Sequence, residues 1–283
     1  MLNRSPLDLI VVEHEYGIFG GADGAYILEF AKKLEKPLIT TLHTVLPKPS
    51  ANQRHILQEL ARYSQRIVTM AERSKKLLEC VYGIPARKIA VIPHGVPMLE
   101  PSGSAAELKE RAGLRGRTVV STFGLLSPGK GIEYGIEAIA KEVQRHPELM
   151  YLVLGKTHPC VKEAFGEAYR DALVARTEKL GIEEHVRFVN KYLTKAEIVD
   201  ALAMSDIYMT PYLGRDQAVS GTLAYAAGYG KVIVSTPYRY AEEMLAGGRG
   251  LLAAFADADS LAARIEEVLQ DDKKKKKMKR KMQ

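Results

Sequence analysis

The chain of 283 residues has only two cysteines, Cys80 and Cys160, far apart and in no metal-binding spacing. That excludes a cysteine-built zinc site and fits a reducing, cytoplasmic setting. No run of about 18 or more apolar residues occurs, so no membrane-spanning helix is expected. The opening MLNRSPLDLIVVE reaches an acidic residue too soon for a secretory signal, and no small-residue cleavage site follows. A Ser-His-Asp order, a zinc signature and a paired-carboxylate hydrolase motif are all missing, and no short internal repeat stands out. Excess positive charge is also missing from the body of the chain. The formal charge is +7, but the last eleven residues, KKKKKMKRKMQ, hold eight basic groups, and removing them leaves −1. A near-neutral body argues against a nucleic-acid-binding surface. The basic tail has two readings. One is a solvated, disordered end. The other is peripheral contact with anionic lipid head groups, worth about 1 kcal/mol per basic residue near such a surface.

What is present is ample apolar material, 46% of the residues, and alternation of strand and helix patterns from start to finish. LIVV at 9–12, PLITTLH, RIVTM and KIAVIPHG read as strands, with helices over 51–63 and 72–82. The stretch 97–116 carries Pro, Ser and Gly and breaks the alternation, so it reads as a linker. Strand patterns restart at TVVSTFG, LMYLVLG, HVRFVN, DIYMTPY, KVIVSTPY and GLLAA. Helices are expected after Pro128-Gly129-Lys130 and over roughly 161–180, 194–203, 219–229, 239–246 and 260–270. Continuous Val/Ile/Leu strands separated by helices predict parallel sheets buried on both faces. The expected fold is therefore α/β, with two doubly wound Rossmann-like domains in tandem. The expected division is 1–98, a linker region at 99–116, 117–270, and a basic tail at 271–283. The first domain offers about four strands where about six are usual, so it reads as lacking N-terminal strands.

In open parallel sheets ligands bind beyond the carboxyl ends of strands. After TVVSTFG comes Gly124-Leu125-Leu126-Ser127-Pro128-Gly129-Lys130-Gly131 and then a helix. Glycines admit a ligand close to the backbone, the helix start offers free N–H groups, and Lys130 adds a cation, all suited to phosphate. The loop is neither a Walker A motif nor G-x-G-x-x-G, and an ordinary turn with an exposed lysine is the alternative. After DIYMTPY, Ser220-Gly221-Thr222 opens another helix and suits phosphate oxygens, or simply caps that helix. Glu242 and Glu243 follow KVIVSTPY, where a carboxylate accepts from ribose or sugar hydroxyls or is merely solvated. His158 follows LMYLVLG and is either a donor contact or an exposed loop residue. In the first domain His43 ends PLITTLH, where it positions a hydroxyl or stabilises charge, or bonds a neighbouring carbonyl. His14, Glu15, Tyr16, Gly20 and Gly21 follow the first strand as candidate acceptor-side residues. Gly95, in His94-Gly95-Val96, reads as a residue of chain direction.

The set His43-Thr44, Pro93-His94-Gly95-Val96-Pro97, Gly124 through Gly131, Ser220-Gly221-Thr222 and Gly230-Lys231-Val232-Ile233-Val234 resembles family 4 glycosyltransferases, over about residues 9–270. These are retaining enzymes of the GT-B fold, with the first domain here incomplete. The resemblance implies a nucleotide-sugar donor as substrate, held mainly by the second domain, no cofactor and no metal. It implies a hydroxyl acceptor met mainly by the first domain. By position, Lys130 matches the lysine on the donor diphosphate and His43 the histidine near the reacting sugar. Gly124, Gly129, Gly131, His158, Ser220, Gly221, Thr222, Glu242 and Glu243 fall on the donor side. Three departures are visible. Leu125 stands where the family has arginine, and Gln217 and Tyr225 stand where it has two acids eight residues apart. The family's first glycine-rich loop falls in the missing N-terminal part, and the lysine-rich end stops where a further helix usually follows. A non-catalytic nucleotide- or carbohydrate-binding remnant, and a GT-B-like epimerase or phosphorylase, are the competing readings.

Overall fold

The computed structural model describes residues 2–282. The chain divides into two compact units, the first built on residues up to 94 with the short segment 216–219, the second on 95–215 and 220–283. Unit 1 alternates β1 (Ile10–His14), α1 (Ile27–Lys33), β2 (Leu38–Leu42), α2 (Ala51–Tyr63), β3 (Arg66–Thr69), α3 (Glu72–Cys80) and β4 (Ile89–Val91). Its sheet is parallel throughout, in the order β1-β2-β3-β4. The order runs one way, so this sheet has no reversal of its own among the described residues. Its longest helix, α2, begins where the sequence supplies a cap. Ser50 Oγ accepts from Gln53 N at 3.1 Å and Gln53 Oε1 accepts from Ser50 N at 2.9 Å. Ile56, Leu57 and Leu60 then recur on the face of α2 that enters the core. Each such side chain, fully buried, contributes roughly 1.5–3 kcal/mol.

Unit 2 runs through α4 (Ala105–Arg111), β5 (Thr118–Phe123), α5 (Ile132–Glu142), β6 (Leu149–Leu154), α6 (Pro159–Phe165), α7 (Ala168–Leu180) and β7 (Val186–Val189). It continues with α8 (Lys195–Met204), β8 (Ile207–Thr210), α9 (Gly221–Gly228), β9 (Val232–Ser235), α10 (Arg239–Met244), β10 (Leu251–Leu252), α11 (Ala258–Gln270) and α12 (Asp272–Met282). The six strands are parallel in the order β10-β9-β8-β5-β6-β7. Every residue of β6, β8 and β9 is buried, which is why their sequences are apolar without alternation. The chain winds outward from β5 through β6 to β7, then returns to β8 on the other side of β5. The reversal between β5 and β8 leaves a crevice at their carboxyl ends.

The structure corrects the sequence reading in three places. The expected linker holds α4, with Ser104 and Glu107 forming a capping box. Lys109 Nζ there bonds Asp206 Oδ2 at 2.6 Å, so the segment is an integral part of unit 2. The helix expected over 161–180 is two helices that part around Gly166. The basic tail is not a disordered end: it forms α12, anchored by Met278 at 2% exposure within the apolar cluster of α5 and α11. Lysine is a competent helix former, and Asp272 in the first turn and cations in the last both favour the helix dipole. Lys273, Lys276, Lys277 and Arg280, spaced as neighbours on one helical face, are exposed. No described helix is long and apolar enough to cross a membrane.

The ends of β5 and β6 meet through backbone alone. A Cβ on Gly155 would stand 1.9 Å from the Gly124 carbonyl oxygen. Gly155→Ala is expected to cost about 3 kcal/mol or more, because the obstacle is main chain that has no rotamer to yield. Gly181→Ala, at φ +64° but in open space, is expected to cost about 1–2 kcal/mol for left-handed strain alone. Equal losses for the two variants in urea unfolding would contradict this account.

Candidate functional site

In unit 2 the residues predicted for phosphate converge at the carboxyl ends of β5 and β8. Gly124 leaves β5, and a Cβ on it would lie 3.4 Å from Thr222 Cγ2, at the start of α9. The loop from Gly124 runs beside the segment after β6: Leu126 N donates to Lys156 O at 2.8 Å, and His158 N donates to Leu126 O at 2.8 Å. It then tightens through a short turn at Pro128–Lys130. Gly131 closes it at φ +59°, where a Cβ would stand 2.2 Å from Pro211 O. Leu213 N donates to Gly129 O at 3.0 Å, tying the loop to the segment after β8. Lys130 is half-buried, and its Nζ lies 3.9 Å from the centroid of the Tyr212 ring.

Ser220 and Thr222 are already engaged with protein. Ser220 Oγ accepts from Leu223 N at 3.3 Å, the capping role. Thr222 Oγ1 is 2.8 Å from Tyr212 Oη and 3.2 Å from Ser220 Oγ. What α5 and α9 offer an anion is therefore their first backbone N–H groups and positive dipole ends. Gly124, Leu125, Gly155, Tyr192, Ile198 and Thr222 line a cavity of about 200 Å³ at this edge of the sheet. Tyr192, Leu193 and Ile198 were not among the sequence candidates. They sit after the short strand β7 and on α8, where Thr194 and Glu197 mark a helix start by a capping box but no glycine or small-residue turn points to a ligand.

The other donor-side candidates have partners of their own. His158 Nδ1 accepts from Cys160 N at 3.2 Å, so its ring caps α6. Glu242 and Glu243 lie half-buried in α10. Burial, and then the Glu243 carboxylate, push the neighbouring Tyr240 phenol up to about 12. Gln217 Nε2 donates to Val219 O at 2.9 Å. Tyr225 meets Phe123 edge-on at 6.2 Å. Among the described residues one cluster, Glu142, His146 and Glu266, has metal-ligand chemistry. It lies where α5 meets α11, and Arg145 neutralises it at 2.7 Å from Glu142 and 3.5 Å from Glu266.

In unit 1 the ends of β1 and β2 carry the candidates. His43 N donates to His14 O at 3.0 Å, placing His43 beside the residues that follow β1. Its Nε2 lies 2.7 Å from Glu13 Oε2, a partner that fixes the imidazole and was missing from the sequence candidates. Glu13 was legible only as part of the run Glu13-His14-Glu15; its outward direction follows from strand alternation. Thr44 Oγ1 donates to Glu15 Oε2 at 2.7 Å, and Tyr16 Oη donates to Gln53 O at 3.3 Å. The Tyr26 ring lies against Gly20 and Gly21, 2.9 Å from where a Gly21 Cβ would stand. His14 differs from expectation. It is fully buried beside Tyr16 and Phe19, with neither ring nitrogen hydrogen-bonded, so it presents nothing to an acceptor.

Burial, with His43 adding to it, pulls the His14 ring down to about 4. Unfolded, the ring titrates near the ordinary histidine value of 6.5. Between these values only the unfolded chain binds the proton, so stability falls as pH drops from 6.5 toward 4. His14→Phe removes this dependence. Relative to wild type, the variant is expected to gain about 2 kcal/mol in urea unfolding between pH 7 and pH 4.5. An unchanged difference would refute the assignment.

The family described as glycosyl transferases group 1 matches residues 105–283, and that described as glycosyltransferase family 4 matches residues 2–98. The phosphatidyl-myo-inositol mannosyltransferase of Mycolicibacterium smegmatis is 25% identical over 240 residues, covering 84% of this chain and 57% of that protein. The lipopolysaccharide core biosynthesis mannosyltransferase LpcC of Rhizobium leguminosarum is 25% identical, covering 78% of this chain and 60% of its own length. The chain thus spans about three fifths of these relatives. Among solved structures, Anabaena Alr3699/HepE in complex with UDP and glucose superposes with a TM-score of 0.76 at 23% identity, over 98% of this chain and 72% of that one. The likeness establishes the fold.

Proposed function

Because the chain belongs to the glycosyl transferases group 1 family, we propose that it transfers a hexosyl group from a nucleotide-diphosphate sugar to a hydroxyl acceptor, with retention at the anomeric carbon. The observation that carries this reading is the convergence of Lys130, the Gly124–Gly131 loop and the Ser220-Gly221-Thr222 helix start at one switch point of unit 2. As the bond to the leaving diphosphate breaks, negative charge grows on the phosphate and oxocarbenium character on the sugar. Lys130 and the N–H groups of α5 and α9 are fixed before that charge appears, so stabilising it requires little reorganisation. These donors do for the diphosphate what a divalent ion does elsewhere. No carboxylate in unit 2 stands as a nucleophile among the residues that converge, which suits front-side attack with the leaving phosphate taking the acceptor's proton. Unit 1 supplies the acceptor side: His43, oriented by Glu13, and Glu15, held by Thr44.

Calorimetric titration with UDP, GDP and ADP tests the donor site. One nucleotide is expected to bind, and Lys130→Ala to weaken it by roughly 10- to 100-fold, the loss of one charge-assisted contact. No binding of any of the three by the folded chain would defeat the reading. A second reading has its own support. Gln217 and Tyr225 are turned to Val219 and Phe123, and neither is an acid. A remnant that binds nucleotide without turnover fits these two residues, and release of free nucleotide from the matching nucleotide sugar separates it from the enzyme.

The exposed ridge Lys273, Lys276, Lys277 and Arg280 on α12 supports peripheral contact with an anionic membrane. Vesicles containing phosphatidylserine are expected to retain the wild-type chain at low salt and release it at high salt. Converting these four residues together to Glu should lower partitioning at least about tenfold. Equal partitioning of both proteins would remove the membrane from the proposal.

A further inference from the structure

Tyr212 has no role in the donor-site reading, on which the present inference rests. It is fully buried, and it touches both halves of the anion-binding arrangement. Its ring face carries Lys130 Nζ at 3.9 Å from the centroid. Its hydroxyl lies 2.8 Å from Thr222 Oγ1, which continues to Ser220 Oγ at 3.2 Å and so to the cap of α9. The ring cannot drift. It stacks on Tyr238 with centroids 5.5 Å apart and planes 20° from parallel. Its carbonyl accepts from Thr236 Oγ1 at 2.5 Å. Its two chain neighbours are pinned to the lysine loop, Pro211 O against Gly131 and Leu213 N on Gly129 O.

We propose that Tyr212 is a positioning residue: its ring holds the Lys130 ammonium and its hydroxyl holds the Ser220-Gly221-Thr222 turn, so that cation and helix start meet a nucleoside diphosphate already arranged. An unrestrained lysine samples many rotamers and loses that freedom when it grips a phosphate. A lysine resting on a ring face has lost part of it beforehand, and preorganisation of this kind raises affinity without adding a contact to the ligand. The hydroxyl acts differently. It occupies Thr222 Oγ1, which leaves the backbone N–H groups of α9 as the part facing the ligand.

The test titrates wild type and variants with whichever of UDP, GDP and ADP binds, and with the corresponding nucleoside monophosphate, which lacks the β-phosphate. Tyr212→Leu is expected to weaken the diphosphate about tenfold and the monophosphate less than about twofold. Because the ring acts through Lys130, Tyr212→Leu combined with Lys130→Ala should bind no more than about threefold more weakly than Lys130→Ala alone, the share of the hydroxyl. Tyr212→Phe keeps the ring face and should restore diphosphate affinity to within about threefold of wild type. Thr222→Val cuts the hydroxyl link without entering the buried ring stack. It should match Tyr212→Phe, and the two together should be no worse than either, an outcome readable even if Tyr212→Leu does not fold. Equal weakening of monophosphate and diphosphate, additive losses in either cycle, or Tyr212→Phe as weak as Tyr212→Leu would overturn the proposal. Binding by wild type with any of those results overturns this inference alone. Absence of binding by wild type overturns the donor-site reading and this inference with it.

Discussion

A parallel sheet wound by helices has one unavoidable gap, where the chain reverses direction across the sheet, and unit 2 is organised around that gap. Between β5 and β8 the winding reverses, the point at which a doubly wound sheet leaves its strand ends open to a ligand. The four central strands are fully or almost fully buried, which keeps their ends in fixed register. Whatever follows each strand is therefore delivered to the same place: Gly124 from β5, Gly155 from β6, Tyr212 and then Ser220 from β8. The backbone contact between Gly155 and Gly124 is a consequence of this crowding, and so is the contact of Gly131 with Pro211. Side chains at those points would separate the loops, and the crevice would lose its walls.

The chemistry of the gap is set by what the side chains leave unused. Ser220 and Thr222 spend their hydroxyls on the cap of α9 and on Tyr212. The main chain at the starts of α5 and α9 is then the dominant donor, and Lys130, resting on the Tyr212 ring, the charge beside it. Under the proposed function such a site meets phosphate by shape and charge and does not distinguish the base of the nucleotide. Selectivity has to come from another surface, and the cavity extending toward Tyr192 and Ile198 is the part of unit 2 with apolar walls to supply it.

The sequence made the strands legible because parallel strands buried on both faces need unbroken Val, Ile and Leu, and runs such as LMYLVLG supply them. Lys130 and Ser220-Gly221-Thr222 were legible for a related reason: glycine or small hydroxyl residues at a strand-to-helix turn form a local pattern. Tyr212 was not legible. It stands at the end of DIYMTPY, where an aromatic reads as strand material, and its contacts with Lys130 and Thr222 exist only after β5 and β8 are neighbours. Glu13 was hidden similarly, since its bond to His43 depends on the pairing of β1 with β2. His14 was misjudged because strand alternation gives a direction without giving the depth of the face it enters. The basic tail was misjudged because composition favoured solvent, while one residue in register, Met278, fastens it to the core.

The tail also bears on how charge is used across the chain. Eight of the last eleven residues are basic, and part of that charge is consumed internally: Lys274 pairs with Glu267, Lys275 with Asp272, and Lys281 donates to Gly247 O. Four of the other five, Lys273, Lys276, Lys277 and Arg280, fall on one ridge by the helical period itself. A disordered tail of the same composition would have no preferred face. Folding converts a charge run into an oriented surface, whereas Lys130 stands at the strand ends, where the helix dipoles already point. The two positive features of unit 2 therefore arise from different physics, one from the backbone and a single lysine, the other from side chains on one side of a helix.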